Sequence, residues 1–170
     1  MRLEDGDVVL RPFVDADVPA IVAACQDPEI PRRTSVPSPY TEEDARSFLA
    51  GAPNVQSFAV VGADDQLLGC VGYQRLNHSR ATLGYWVVRE ARGRGVASRA
   101  LRLVSRWALR ELGLARVQLL VEPDNAASIR VAENAGFRRE ALLRSYIELK
   151  GRRRDVYLYA LLAEDTAAEL

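Results

Sequence analysis

The sequence predicts an α/β (α+β) fold, in which helices cover both faces of a mixed central sheet of about six to seven strands. Three observations support this class. Apolar segments joined by short polar turns between residues 56 and 88 are typical of an antiparallel meander. The next long segment, 97–112, changes to helical periodicity. Beyond it, short apolar strands alternate with a further helical segment, which favours strands that join the same sheet.

The N-terminal third predicts one strand, two helices and a loop. Val8–Pro12 is a short apolar strand, and Asp15 is a suitable N-cap for the helix that follows. That helix places apolar residues on one face, namely Val18, Ile21, Val22 and Cys25. Three prolines within 31–40 predict a loop. Thr41-Glu42-Glu43-Asp44 then resembles a capping box that begins a second helix, which ends near Gly51.

The remaining elements follow from apolar periodicity and from glycine or polar stops. Helix 97–112 has one apolar face and ends before Gly113, and helix 127–135 ends at Gly136. A polar turn over 150–154 joins the last two strands. The expected strands are 56–61, 67–76, 81–88, 117–121, 139–149 and 155–163.

Length and composition limit the classes of function. A chain of 170 residues predicts one domain over 1–170. The 23 basic and 23 acidic residues cancel, which argues against a general nucleic-acid binder. No apolar run approaches the roughly 20 residues of a membrane span, and the acidic N-terminus is unlike a secretory signal. We therefore expect a cytoplasmic protein with no nucleic-acid or membrane partner.

Metal and triad chemistry are disfavoured by the small number of suitable residues. The only histidine, His78, lies in an expected turn without a nucleophile-elbow motif. Cys25 and Cys70 lack metal-ligand spacing, and we expect both to be buried thiols. The sequence therefore predicts no metal site.

The glycine-rich segment Arg92-Gly93-Arg94-Gly95-Val96-Ala97 is the sharpest chemical feature. It lies between an expected strand and the start of helix 97–112. Glycines there let successive N–H groups converge at a helix N-terminus, which suits a pyrophosphate. The segment lacks the third glycine of the dinucleotide fingerprint, where Ser98 stands, and it lacks the P-loop Gly-Lys-Ser/Thr. An ordinary strand-to-helix turn is the alternative interpretation.

Several ordered motifs resemble one family across nearly the whole chain. Segment 83–97 resembles the acetyl-CoA signature of the GNAT N-acetyltransferases, whose Gln/Arg-x-x-Gly-x-Gly/Ala pattern is matched by Arg92, Gly95 and Ala97. Segment 125–137 resembles the Asn-x-x-Ser…Gly-Phe signature of the ribosomal-protein-alanine acetyltransferase (RimJ/RimL-like) subgroup. Segments 10–17 and 155–159 fit the same subgroup. The resemblance implies a GNAT fold.

The resemblance implies acetyl-CoA as cosubstrate and a set of residues that bind it. Backbone groups around Val87 and Val88 are expected to pair with the pantetheine arm, and the amides from Gly93 to Ser98 with the pyrophosphate. Asn125 matches a residue that contacts the pantetheine or acetyl end, although N-capping is its alternative role. The expected cofactor-binding residues are Trp86, Val87, Val88, Arg92, Gly93, Arg94, Gly95, Val96, Ala97, Ser98 and Asn125.

The implied reaction is direct acetyl transfer to a primary amine, and a protein or peptide N-terminal α-amine is the favoured acceptor. An α-amine with a pKa near 8 is neutral in roughly a tenth of molecules at pH 7, whereas a lysine amine is almost never neutral. A small-molecule amine such as an antibiotic, a polyamine or an amino acid is the alternative acceptor. A catalytically idle acyl-CoA-binding module is the alternative from another class. Acetyl versus succinyl as the acyl group, and monomer versus homodimer, stay open.

The expected catalytic residues are Ser128 and Glu148. Ser128 matches the position proposed in the subgroup to protonate the departing thiolate, with N-terminal helix capping as its other role. Relatives often carry a glutamate base where this chain has Thr82. Glu148 therefore becomes one candidate base, beside Glu122, Glu42, Glu43 and a water chain to bulk solvent.

The acceptor site is expected between loop 31–40 and turn 150–154. Its candidate contacts are Arg33, Tyr40 and Tyr146, together with Trp86. The arginines of the two loops would favour an acidic acceptor, with solvated basic turns as the alternative. The arginines concerned are Arg32, Arg33, Arg152, Arg153 and Arg154.

Overall fold

The structure is a computed structural model and describes residues 2–167. Its eight strands form one mixed sheet in the order β1-β2-β3-β4-β5-β6-β8-β7. All neighbouring strands pair antiparallel except β5 and β6, which are parallel. The strands are β1 Leu3–Asp5, β2 Val8–Pro12, β3 Val55–Val61, β4 Leu67–Arg75, β5 Arg80–Val87, β6 Arg116–Val121, β7 Arg138–Leu149 and β8 Arg152–Leu162. The helices are α1 Val18–Cys25, α2 Glu29–Arg33, α3 Glu42–Ala50, α4 Val96–Glu111, α5 Ala126–Asn134 and α6 Ala163–Ala167.

The predicted mixed sheet with helices on both faces is confirmed, with eight strands in place of six to seven. The additional strand is β1, which has three residues and no apolar run that periodicity could detect. It reverses into β2 through Gly6, whose φ of 60° suits glycine. Pairing with β2 therefore creates this strand, since its own sequence carries no strand signal.

Two local predictions are wrong. The expected loop 31–40 begins with helix α2, because Pro31 lies in its first turn, where a backbone N–H has no helical partner. The expected turn 150–154 consists of Lys150 and Gly151 alone, both with positive φ, so β8 begins at Arg152. A two-residue turn of this kind matches the twist of a hairpin.

The start of α1 also differs from the prediction. Asp15 begins a short 3-10 turn, and the N-cap position of α1 is Asp17. The Asp17 carboxylate accepts the N–H of Val14 at 2.9 Å and both terminal nitrogens of Arg11 at 2.8 Å. This pair fastens strand β2 to the turn before α1.

Each face of the sheet has its own apolar core. Helices α4 and α5 cover one face, where Leu101, Val104 and Tyr159 are fully buried. Helices α1, α2 and α3 cover the other, where Ile21 and Ala45 are buried. Successive residues of a strand point to opposite faces, so one strand can serve both cores.

The parallel pair β5–β6 is short. Its register runs over three residue pairs and ends at Thr82 opposite Gln118, although β5 continues to Val87 and β6 to Val121. The two strands separate beyond that point. This opening, bounded by the ends of β5, β6, α4 and α5, positions the site described next.

Candidate active site

The end of β5 directs backbone groups that no strand pairs with toward the opening. The N–H of Val88 bonds to the carbonyl of Leu68 on β4 at 2.9 Å. Hydrogen-bonding direction alternates along an antiparallel pair, so the backbone groups of Tyr85 and Val87 face the opening instead. Of the two expected backbone contacts, Val87 thus faces the opening, while the N–H of Val88 is used within the sheet.

The glycine loop adopts the geometry that its sequence predicts. Gly93 and Gly95 have φ of 72° and 75°, in the left-handed region, and a Cβ at either would meet no atom within 4 Å. Gly95 is the N-cap of α4, so the N–H groups of Val96, Ala97 and Ser98 have no carbonyl partner within the helix. The loop and helix dipole therefore present converging donors to an anion.

A cavity of about 460 Å³ joins this loop to the opening. Its walls come from α2, the end of β5, the glycine loop and the first turns of α4 and α5. Most of the expected cofactor-binding residues line it: Trp86, Val87, Arg92, Gly93, Gly95, Val96, Ala97, Ser98 and Asn125. Val88 and Arg94 are not part of this lining.

The Arg92 side chain is already engaged by the protein. Its Nε donates to the carbonyl of Val87 at 3.2 Å, and its Nη2 lies 2.7 Å from the carboxylate of Asp27. Arg89 donates to the same carboxylate at 3.1 Å. Burial alone would raise the pKa of Asp27, but the bonds from Arg89, the Glu29 N–H and Arg92 outweigh it and lower that pKa. Arg92 therefore connects the glycine loop to the α1–α2 connection.

Asn125 and Ser128 meet at the start of α5. The Asn125 side chain caps the helix by accepting the Ser128 N–H at 3.2 Å. The hydroxyl of Ser128 lies 2.8 Å from that of Tyr85, at a site that both residues help to line. Burial raises the pKa of Tyr85, and its bond with Ser128 only partly offsets this, so the phenol stays protonated at neutral pH.

An ionic cluster lies directly after the end of β6. Glu122, 11% exposed, accepts Nη1 of Arg33 at 2.6 Å and Nη1 of Arg154 at 3.0 Å. Arg33 also bonds Asp124 at 2.8 Å, which raises the pKa of Arg33 against the opposing effect of burial. Both oxygens of the Glu122 carboxylate are therefore engaged by guanidinium groups within this cluster.

A second cavity of about 550 Å³ lies on the other face of β5, between the sheet and α3 with the segment before it. We call it the acceptor cleft. Thr34, Tyr85 and Trp86 line both cavities, so the two meet at the end of β5. Tyr40, one of the expected acceptor contacts, is buried in its wall, and burial raises the pKa of Tyr40 to about 12.

The structure does not bring three other predicted residues to the acceptor cleft. Glu148 is 60% exposed on the β7–β8 hairpin beside Arg153, at 3.7 Å, and lines neither cavity. Tyr146, 54% exposed on the same hairpin, also lines neither. Arg33 lines the cavity beneath the glycine loop and belongs to the ionic cluster described above.

Thr82 belongs to the lining of the acceptor cleft. It stands where the resemblance implies that relatives often carry a glutamate base, and its hydroxyl accepts a hydrogen bond from Gln118 at 3.3 Å.

Both cysteines are free and buried, as expected. Burial raises the pKa of Cys25 to about 11 and that of Cys70 to about 12. Within residues 2–167 no three His, Cys, Asp or Glu side chains cluster in a way that could hold a metal ion. No helix in the same range is long and apolar enough to cross a bilayer.

Sequence reasoning missed two residues that the structure places at the site. Tyr85 belongs to the quoted signature, but its contact with Ser128 spans 43 residues and has no local signal. Asp27 follows the first predicted helix and binds Arg89 and Arg92, two arginines near the start of the glycine loop. An acidic residue that follows an apolar helix is too common a pattern to predict such a contact.

Comparisons with known proteins agree with this geometry. The family described as acetyltransferase (GNAT) domain matches residues 7–138. The uncharacterized N-acetyltransferase p20 of Bacillus licheniformis is 31% identical over 98% of this chain and 92% of its own. The ribosomal-protein-serine acetyltransferase of Escherichia coli (strain K12) is 27% identical over 73% of each chain. The structure of Mycobacterium smegmatis RimJ in complex with CoA-disulfide superposes with a TM-score of 0.86 at 25% identity, over 98% of this chain and 88% of that one.

Proposed function

The chain belongs to the GNAT acetyltransferase family, in its RimJ/RimL-like subgroup, and on that premise we propose that it transfers an acetyl group from acetyl-CoA to the α-amine of a protein or peptide N-terminus. The observation that carries the proposal is the meeting of two cavities at the end of β5, one beneath the glycine loop and one open to an acceptor. The related enzyme named for a ribosomal-protein serine supports the protein acceptor.

The cavity beneath the glycine loop, here called the cofactor cavity, suits a coenzyme A thioester. The positive φ of Gly93 and Gly95 and the unpaired N–H groups of the first turn of α4 fit a pyrophosphate. The backbone groups of Tyr85 and Val87 that face the opening between β5 and β6 can pair with the amides of a pantetheine arm, as an added strand would. Arg92 occupies the Val87 carbonyl, so it positions this edge and is the least available of the expected phosphate contacts.

The transfer needs few charged groups. The amine nitrogen forms a bond to the thioester carbonyl carbon, the carbon–sulfur bond breaks, the nitrogen loses a proton and the thiolate gains one. A thiol with a pKa near 8.5 is a good leaving group, and an α-amine is partly neutral at pH 7. Positioning and carbonyl polarisation by backbone N–H groups can therefore supply much of the rate.

We assign the proton for the thiolate to the Ser128–Tyr85 pair. The Ser128 hydroxyl lies on the cofactor side, and the buried, protonated Tyr85 hydroxyl lies 2.8 Å behind it. Ser128 can donate to the sulfur while Tyr85 donates to Ser128. Position 132, one helical turn after Ser128, is an alanine without a hydroxyl, so Tyr85 is the hydroxyl that supports Ser128.

Removal of the amine proton falls to water in this proposal. Thr82 has no basic group, Glu122 is held by two arginines, and Glu148 lies outside both cavities. The Asp44 carboxylate at the cleft is occupied by the Thr41 N–H and hydroxyl, which lower its pKa. This favours an acceptor with a low amine pKa, as an α-amine has.

The proposal is tested by thiol release from acetyl-CoA across an acceptor panel. The panel holds peptides that begin with Ser, Ala or Leu, the same peptides with a blocked N-terminus and a free lysine, and spermidine. We expect turnover of the free N-termini at least about tenfold above the blocked peptides, given the difference in amine pKa. Preference for spermidine would overturn the N-terminal acceptor, and acetyl-CoA binding without any turnover would favour the idle module.

A further inference from the structure

We propose that the acceptor cleft selects an amine whose neighbouring group is bulky, apolar and uncharged, and that it rejects acidic acceptors. This inference rests on the proposed acetyl transfer and names the acceptor class of the same site. It reverses the expectation, drawn from the arginine-rich loops, that the acceptor is acidic.

Two neighbouring glycines leave part of the floor of the cleft without side chains. Gly72 on β4 and Gly84 on β5 are direct cross-strand partners. A Cβ at Gly72 would come within 2.6 Å of the backbone oxygen of Gln56, so strand packing requires glycine there. A Cβ at Gly84 would meet no atom within 4 Å, and its φ is not in the left-handed region. The absence of a side chain at Gly84 therefore leaves open space that packing does not demand.

Aromatic side chains form part of the wall around this floor, beside hydroxyl and amide side chains such as Ser47, Ser57 and Gln74. Trp86 lies on the same face of β5 as Gly84, two residues along, and packs with the core of α1 and α3. Phe48 on α3 and the buried Tyr40 close the opposite side. Aromatic walls over an open floor gain free energy from an apolar group that fills the space.

The charges exclude an acid. Asp44 is the one ionisable carboxylate of the lining, and hydrogen bonds from the Thr41 side chain and N–H keep its pKa low, so the cleft carries a negative charge. Among residues 2–167 no arginine or lysine belongs to the lining, and the exposed Lys150 ammonium is engaged by the carbonyl of the lining residue Val36 at 2.6 Å. Four loop arginines pair elsewhere: Arg32 with Glu29, Arg33 with Glu122 and Asp124, Arg153 with Glu148 and Arg154 with Glu122. A carboxylate in the cleft would lose water and meet a like charge.

The first test compares acceptors that differ only in the group beside the amine. Peptide amides of sequence Xaa-Gly-Gly-Gly, with Xaa as Leu, Phe, Ala or Asp, are assayed for kcat/KM with acetyl-CoA, beside phenethylamine and β-alanine. We expect Leu or Phe to exceed Asp by at least about tenfold, and phenethylamine to exceed β-alanine similarly. Equal or preferred turnover of Asp or β-alanine overturns the inference, as does failure to acetylate any apolar amine.

The small amines separate this inference from the proposed function. Acetylation of phenethylamine with inert peptides would reject the N-terminal acceptor and keep the apolar selectivity. Acetylation of peptides without regard to Xaa would keep the N-terminal acceptor and reject the selectivity.

Two substitutions locate the selectivity in the cleft. Gln74→Arg places a cation in the lining, whereas Gln66→Arg makes the same change in the exposed β3–β4 turn, at the opposite end of β4. We expect Gln74→Arg to raise the Asp-to-Leu ratio of kcat/KM at least about threefold and Gln66→Arg to leave it unchanged. Equal ratios in the two variants would contradict a selectivity that resides in this cleft.

The floor is tested by Gly84→Ala and Gly84→Val. We expect a graded fall in the Phe-to-Ala ratio of kcat/KM, about tenfold for valine, with acetyl-CoA affinity unchanged because Gly84 lies outside the cofactor cavity. Melting curves verify that both variants are folded. A Phe-to-Ala ratio that survives Gly84→Val would show that the bulky group does not lie on this floor.

Discussion

Ser128 has a structural and a chemical partner at the same time. Its backbone N–H completes the Asn125 cap of α5, while its hydroxyl contacts Tyr85 on β5. The cap uses the main chain and leaves the side chain available. Capping and proton donation, the two roles that the sequence allows for Ser128, are therefore compatible in one residue.

The Ser128–Tyr85 pair predicts a specific kinetic pattern. Ser128→Ala and Tyr85→Phe are each expected to lower kcat about tenfold to a hundredfold, with little change in acetyl-CoA affinity. The double variant should be little slower than either single one, because the two hydroxyls act as a unit. Steady-state kinetics and calorimetric acetyl-CoA binding check this.

Ser128→Thr is the control for that series, because it keeps a hydroxyl and should recover most of kcat. A large loss of acetyl-CoA affinity in Ser128→Ala, with kcat retained, would instead mark the residue as a helix cap alone.

Asp17 predicts a pH-dependent contribution to stability. The hydrogen bonds from Arg11, opposed by burial, lower the pKa of Asp17 in the folded protein below the value near 3.9 of an unfolded chain. Its stabilisation is therefore complete above about pH 4 and is lost as the pH falls through the folded-state pKa. Asp17→Asn should lower the free energy of unfolding by about 1–3 kcal/mol at pH 7 and by less at pH 3.

Urea unfolding at both pH values measures this difference. Glu4→Gln is the control, since its pair with Arg2 is more than half exposed and surface pairs contribute little. A loss for Asp17→Asn that does not shrink at pH 3 would contradict the assigned ion pair.

At the scale of elements, the strand–loop–helix unit β5–α4 forms the anion cradle. Strand β5 ends at Val87, a short turn follows, and α4 starts at Val96 with Gly95 as its N-cap. The donors come from the main chain, so the cradle depends on backbone shape more than on side-chain charge. Arg92 agrees with this, because its side chain bonds to Asp27 and to the Val87 carbonyl.

The cradle predicts different outcomes for two substitutions of one glycine. Asp and Asn both tolerate the left-handed region, and they differ here in charge. Gly95→Asp should weaken acetyl-CoA binding at least about tenfold more than Gly95→Asn, because its carboxylate opposes the pyrophosphate. Isothermal titration calorimetry compares the two, and equal affinities would contradict phosphate binding at this loop.

At the scale of the whole molecule, the separation of β5 and β6 lets the cavity beneath the glycine loop meet the acceptor cleft at the end of β5. Pairing ends at Thr82–Gln118, and the free part of β5 has Tyr85 directed toward α5 and Trp86 toward α3. In the proposed reaction, a donor in the first cavity can thus meet an acceptor in the cleft at the end of β5.

Ligand binding at this junction predicts a global stabilisation. Acetyl-CoA at about 100 times its dissociation constant should add about 2.7 kcal/mol to the stability of the folded state. For a chain of this size that corresponds to a rise in Tm of roughly 5–10 °C. Differential scanning fluorimetry measures the shift, Gly95→Asp should abolish most of it, and adenosine alone should not reproduce it.

Much of the fold was predictable because its signals are local. The Thr41–Asp44 capping box, the period of α4 and the positive-φ glycines at 113 and 136 depend on residues within one or two turns of each other. Strand β1 was not predictable, because three residues with a single apolar side chain, Leu3, become a strand only by pairing with β2. The same holds for α2, where the prolines obscured a helical turn.

The sequence by itself determined seven of the eight strands, the family and the glycine-rich turn before α4, since each depends on residues close together in the chain. Tertiary structure alone decided which side chains meet. Tyr85 reaches Ser128 across 43 residues, Arg33 reaches Glu122 across 89, and Gly72 faces Gly84 only through strand register. Contacts of this kind depend on sheet register and on where β5 and β6 separate, because these place distant residues side by side. The proposal of an apolar acceptor therefore rests on the folded cleft, whereas the arginine-rich loops favoured an acidic one.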